Sequence, residues 1–211
     1  MPSPRITPDF DLERAAQSQG FLRVAGVDEV GRGPLSGPVT AAACILDPAR
    51  IPAGIDDSKR LKEADRLRLA AEIKDCAVAW AIAHATVQEI DAINILQASH
   101  LAMKRALQAL VPVANFALVD GNKMPREMAI PGQTVIKGDA KSLSIAAASI
   151  IAKVERDQIM RDLARLHPEF GWETNMGYPT EQHRKALEQF GPTPHHRITF
   201  GPVRKMLCEE T

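Results

Sequence analysis

The spacing of apolar residues changes repeatedly along this chain, and each change marks out an element. Residues 21–28 (FLRVAGVD) alternate β-branched and small positions, which predicts a strand. Residues 39–46 (VTAAACIL) predict a second strand. The segment between them is too short for a crossover helix, so the pair is expected to be antiparallel. After a turn-rich stretch, residues 62–74 predict a helix, although Leu67, Leu69, Ala70 and Ile73 fit one face only loosely. Residues 76–85 (CAVAWAIAHA) carry apolar side chains on both alternating sets, as a buried strand does. Residues 87–110 predict a helix in one piece or two, with Ile90, Ile93, Leu96, Leu101, Leu107 and Leu110 as its core stripe. Pro112 closes it. Short strands are expected at 116–119 and 134–137, each running into a glycine–acid turn. Residues 142–166 predict the longest helix: a small, apolar first half that can lie close to a sheet, then a charged half that reads as a solvated face. A further helix is expected at 180–190, and a short one at 11–17 in an otherwise polar lead-in. Strands alternating with helices predict an α/β architecture, a mixed sheet flanked by helices.

Composition narrows this picture modestly. A chain of 211 residues can bury one good core, with a small appendage. Its 26 Lys and Arg balance its 26 Asp and Glu, so a polyanionic partner must be met by a local basic patch. Cys44, Cys76 and Cys208 lie far apart without CxxC spacing, which fits a reducing compartment better than a disulfide framework. The first residues have no apolar leader core, and no run reaches membrane-spanning length. The expectation is a soluble, cytoplasmic protein.

The candidate chemistry lies in one recurring pattern, an apolar strand ending in an acid beside a glycine. It occurs at Val27-Asp28-Glu29 with Gly31 behind, at Val119-Asp120-Gly121, and at Lys137-Gly138-Asp139. Carboxylates inside an apolar strand are costly unless compensated, and a metal ion compensates them economically. If the first strand and the strand at 116–119 are parallel neighbours, Asp28 and Asp120 share one edge of the sheet, where open α/β sheets bind ligands. Asp139 precedes the longest helix, whose N-terminus favours a carboxylate. Hard oxygen donors without His or Cys point to Mg²⁺ or Mn²⁺. Such a cluster can hold two ions about 3.5–4 Å apart, the arrangement of phosphodiester cleavage. Each acid also has a plain reading, as a solvated strand end or an ordinary turn residue. A nucleotide loop at Gly31, Gly33 and Gly37 is disfavoured by Pro34 and Pro38, which argue against a helix starting inside the loop. Lys59, Lys137 and Lys141 read as surface charges or phosphate contacts. Tyr178, in a Gly-Tyr-Pro turn, reads as local packing or as a stacking platform. His195, His196 and Arg197 read as a phosphate patch or as tail.

Taken together, DEVGRGPLSGPV, DDSKRL, QEIDAINILQAS, LVDGN, KGDAKSLSIAAASIIAKVERD, GYPT and HHRITFGPV resemble the ribonuclease HII (type 2 ribonuclease H) family, in the family's order over residues 21–203. Ser36 stands where that family is expected to carry alanine. The resemblance implies a ribonuclease H-like fold, a five-stranded mixed sheet flanked by helices, with a small helical C-terminal part. It divides the chain into a lead-in (1–20), a catalytic domain (21–168) and a C-terminal helical segment packed on it (169–211). It implies an endonuclease that cuts RNA in RNA–DNA hybrids and on the 5′ side of ribonucleotides embedded in duplex DNA, leaving 3′-hydroxyl and 5′-phosphate ends. Its metal-binding catalytic acids fall on Asp28, Glu29, Asp120 and Asp139. Its sugar-sensing loop falls on Gly31, Arg32 and Gly33, and its junction tyrosine on Tyr178. The protein is expected to act as a monomer. An inactive hybrid-binding module, or another nuclease on the same fold, are the alternatives.

Overall fold

The computed structural model describes residues 7–209. In chain order the elements are α1 (Asp11–Ser18), β1 (Val24–Val30), β2 (Val39–Ile45), α2 (Glu63–Cys76), β3 (Ala79–Ala85), α3 (Val87–Gln108), β4 (Phe116–Asp120), β5 (Gly132–Val135), α4 (Leu143–Leu166), α5 (Trp172–Asn175), α6 (Glu181–Phe190) and α7 (Gly201–Glu209). The strands form one mixed sheet in the order β3-β2-β1-β4-β5. β1 pairs antiparallel with β2, as its short connection requires, and parallel with β4. This is a five-stranded mixed sheet flanked by helices.

Two layers cover the sheet. One core sets Val27, Ala41 and Val119 against α3 residues such as Ala98, Ala102 and Ala106. The other sets Ala42, Cys44 and Leu46 against α2 and the alanine-rich half of α4. Residues 144–152 of α4 are all buried, and the helix lies so close to β1 that a Cβ on Gly26 would sit 2.1 Å from the Ser144 carbonyl carbon. Small side chains at 146–148 allow that approach. α1 ties into the same helix: Glu13, fully buried, accepts from the Ser142 hydroxyl at 2.6 Å and the Ser144 N–H at 2.8 Å.

Several expectations need correction. β1 starts at Val24, because Phe21 packs on the Phe116 ring at 4.7 Å, and it runs on through Val30. Asp28 and Glu29 therefore sit inside a strand, opposite Ala42 and Ala41 of β2. The 76–85 segment is not a uniformly buried strand. α2 continues through Cys76, and β3 is an edge strand whose Trp80 remains 38% exposed. α3 bends at Asn94 (φ 67°), whose Oδ1 accepts from the N–H groups of Leu96 and Gln97 and so caps the second half. The bend takes Ile93 out of the core stripe. β5 ends at Val135, since Lys137 adopts a left-handed conformation. The second half of α4 is not wholly a solvated face, for Arg156 and Asp157 are buried in it. Beyond α4, Phe170, Trp172, Leu187 and Val203 share a third core with Leu35, Met160 and Ala164.

Candidate active site

The register of the central strands assembles the acids. The β1–β4 ladder closes at Val27↔Val119, so Asp28, Glu29 and Asp120 follow directly at the carboxyl ends of two parallel neighbours. Their ligand atoms all lie within 4.8 Å of one another. Asp28 Oδ1 accepts from the Glu29 N–H at 2.8 Å, and Asp120 Oδ1 from the Gly138 N–H at 2.6 Å. Glu29 Oε1 meets Arg32 Nη1 at 3.1 Å. Asp139 is buried in the short turn after β5 and bonds Lys59 Nζ through Oδ2 at 3.4 Å. It stands one step outside the triad but close enough to repel Asp28 and Asp120.

The electrostatics are those of a frustrated anion cluster. Burial, then repulsion from Glu29 and Asp120, pushes the Asp28 carboxyl well above the usual range. Burial also raises Glu29 and Asp120, despite the opposing pulls of Arg32 and of the Gly138 N–H. Burial works against the charge of Lys59, yet Asp139, Asp57 and Asp28 hold it above the ordinary lysine value. Glu29 Oε2 is buried without a hydrogen-bond partner among the described residues. Three repelling hard oxygen donors with one unpaired atom are what a divalent cation would relieve, so the residues present fit one.

The remaining expected residues are distributed unevenly. Gly31 (φ 92°) begins the loop after β1, and a Cβ on Gly33 would lie 3.3 Å from the Tyr178 ring. Tyr178 is 46% exposed, so its ring is held against the loop but still open to a ligand. Lys59 is beside the acids; Lys141 is exposed, and its side chain makes no ion pair among the described residues. His196 and Arg197 are buried, which removes them from any surface phosphate patch. His196 accepts from the Thr193 N–H at 3.0 Å and meets His183 at 3.1 Å, and burial lowers it to about 3. A cavity of about 280 Å³ beside the acids is lined by Arg32, Ser99, His100 and Lys123 among others. Sequence reasoning passed over His100, and also Arg156. Arg156 had a usable signal: with Ser149, Ala152 and Met160 it lies on the apolar stripe of α4, where a charge is out of place.

The ribonuclease HII family model matches residues 25–203. The chain belongs to the ribonuclease HII family. It is 58% identical over 203 residues to ribonuclease HII of Ruegeria sp. (strain TM1040), covering 96% of this chain and 88% of that protein. It is 58% identical to ribonuclease HII of Paracoccus denitrificans (strain Pd 1222), covering 96% of each. Among solved structures it superposes on ribonuclease H2 from Pyrococcus horikoshii OT3 with a TM-score of 0.75 and 30% identity, over 89% of this chain and 98% of that one. The Bst-RNase HIII structure, solved in complex with Mn²⁺, shares the fold at a TM-score of 0.72 and 22% identity, over 92% of this chain and 72% of that one. As a ribonuclease HII the chain is a ribonuclease H, a hydrolase that cleaves the RNA strand of RNA–DNA hybrids. The family depends on a divalent metal ion. No helix among the described residues is long and apolar enough to cross a membrane.

Proposed function

We propose that Asp28, Glu29, Asp120 and Asp139 hold two Mg²⁺ or Mn²⁺ ions and that this centre cuts RNA–DNA hybrids and the 5′ side of single ribonucleotides in duplex DNA. The observation that carries this reading is the convergence of three carboxylates, buried Asp28 and half-buried Glu29 and Asp120, within 4.8 Å at the ends of parallel strands, with Glu29 Oε2 unpaired among the described residues. When bound, such ions lower the pKa of an attacking water and offset charge on the departing 3′-oxygen, leaving 3′-hydroxyl and 5′-phosphate ends. The chain's own residues do the rest. Asp28 and Asp120 would hold the metal, with Glu29 and Asp139 as the further ligands. The Gly138 N–H fixes the Asp120 carboxylate, and Lys59 orients Asp139 while offering charge to a phosphate. Lys141 contributes positive charge farther out on the same approach.

Backbone N–H groups of Gly31, Arg32 and Gly33 read the ribose 2′-hydroxyl, the group that separates RNA from DNA locally. Tyr178, set against Gly33, stacks on the sugar that follows the ribonucleotide. Residues 21–168 form the catalytic domain, which a lead-in of residues 1–20 precedes, its first six residues lying outside the described ones. The segment 169–211, whose last two residues lie outside the described ones, packs on it through residues 169–209, a reading supported by the core shared between Leu35, Met160 and Trp172. The enzyme works as a cytoplasmic monomer.

The test compares three duplexes of one sequence, a uniform RNA–DNA hybrid, a DNA duplex with one ribonucleotide, and all-DNA, each with Mg²⁺ or Mn²⁺. Cutting of the first two and not the third is expected. Binding without cutting would make the chain a hybrid-binding module, and cutting of all-DNA would make it a different nuclease on this fold.

A further inference from the structure

The loop from Gly31 to Pro38 has its carbonyl oxygens drawn inward by two guanidinium groups. Arg197 donates from Nη2 to the carbonyls of Gly31 (2.6 Å) and Gly37 (2.8 Å). Its Nη1 bonds the Arg32 carbonyl at 3.0 Å and its Nε the Gly37 carbonyl at 3.0 Å. Arg156 takes the carbonyls of Ser36 at 3.1 Å and Pro38 at 3.2 Å. Its third donor reaches Met176 O at 3.0 Å, in the segment that leads to Tyr178.

Both side chains are fully buried, and neither forms an ion pair among the described residues. Asp157 and Asp91, which act on them electrostatically, are engaged elsewhere. Asp157 takes Lys153 Nζ at 2.7 Å, and Asp91 accepts from the N–H groups of Ile198 and Thr199. Burying two cations against neutral carbonyls is an expensive way to hold a loop, and apolar packing would be cheaper. What the arginines achieve is orientation. Gly31 cannot carry a side chain here, since a Cβ would lie 2.1 Å from Arg156 Nε.

The amide side of the loop is the counterpart. The Leu35 N–H is tied to Gly177 O at 2.8 Å and the Gly37 N–H to His195 O at 2.9 Å. Among the described residues, no hydrogen bond uses the N–H of Gly31, Arg32 or Gly33. Fixed donors with nothing bound to them are what recognition of a hydroxyl oxygen needs.

We infer that Arg156 and Arg197 are positioning residues for sugar recognition, holding the carbonyl side of the loop so that its free amides meet the substrate's 2′-hydroxyl. This rests on the reading that the Gly31–Gly33 loop senses that group. A lysine preserves the charge but lacks the planar fork that engages several carbonyls at once.

The test uses full-length protein carrying Asp120→Asn, so that duplexes are bound and not cut. Dissociation constants are measured by fluorescence anisotropy for a DNA duplex with one ribonucleotide and for its all-DNA counterpart. Their ratio is the sugar preference, and it is unaffected by any inactive fraction, so a merely structural role leaves it unchanged. Arg197→Lys is expected to cut the preference by about fivefold or more, the equivalent of one net hydrogen bond, while all-DNA affinity stays within about threefold. An undiminished preference would overturn the inference. A parent protein without preference would overturn the loop reading and the inference with it. If Arg197→Lys yields no soluble protein, Arg156→Lys carries the same measurement. Failure of both to fold would overturn the inference as well, by making the arginines general scaffold.

Discussion

The buried imidazole of His196 makes acid a specific stress on this protein. Burial and the neighbouring His183 lower its pKa from 6.5 to about 3, and the ring is 1% exposed, so solvent screens it little. The folded state keeps the ring neutral, whereas the unfolded chain takes up a proton below its ordinary value. Stability from this group is therefore complete above pH 6.5 and is lost as pH falls toward 3. Between pH 6.5 and 5.0 the loss is about 1.5 pH units at 1.36 kcal/mol each, or about 2 kcal/mol. His183 and His195, also lowered by burial, act in the same direction. The raised carboxylates Asp28, Glu29 and Asp120 act oppositely, since the folded state takes up their protons first. A comparison with His196→Asn cancels that contribution and leaves the His196 part. Asn keeps an acceptor for the Thr193 N–H but does not titrate. Urea unfolding in EDTA at pH 7, 6 and 5 should show the variant less stable at pH 7, since it gives up the ring packed on Phe170 at 4.8 Å. The variant should then lose about 2 kcal/mol less than the parent on going to pH 5. Parallel profiles for the two proteins would refute the reasoning.

Asp120→Asn is expected to abolish cleavage while hybrid affinity stays within about tenfold, because phosphate contacts dominate binding; near-normal turnover in Mg²⁺ would remove Asp120 from the centre. Gly26→Ala should cost about 3 kcal/mol or more, the upper end of overpacking, because the new methyl meets backbone of Ser144 and Ile145 rather than a movable side chain. An unchanged urea midpoint would show that α4 and β1 are not so tightly apposed. Tyr178→Ala should lose about tenfold to hundredfold in kcat/KM on a single-ribonucleotide duplex and much less on a uniform hybrid, with Tyr178→Phe retaining most activity. Equal losses on both substrates that follow a drop in Tm would reduce the ring to local packing.

The strand-end acids were legible because a buried charge breaks an apolar pattern locally: Asp28, Glu29 and Asp120 each follow a run of apolar strand residues. Asp139 was legible for the same reason, although sequence could not reveal that it would stand outside the triad, against Lys59. Strand limits were less readable. Phe21 has strand propensity, but its ring is used against Phe116, and Cys76 continues a helix because nothing between Asp75 and Ala77 breaks one. Arg197 was illegible in principle. Its neighbours are two histidines and a mixed run, Ile198-Thr199-Phe200, and only folding reveals that its partners are carbonyls far back in the chain.

That separation affects how activity emerges during synthesis. Arg197 closes on Gly37 across 160 residues, and Arg156 closes on Ser36 across 120. A nascent chain that has released β4 and Asp139 already carries all four acids of the cluster, yet its Gly31–Pro38 loop is still ungripped. The acid cluster can therefore be complete in the chain before the loop is gripped. A prematurely terminated product ending between α4 and Arg197 would carry the acid cluster with its loop gripped by Arg156 alone. Chain order makes the full grip on this loop the last feature to mature.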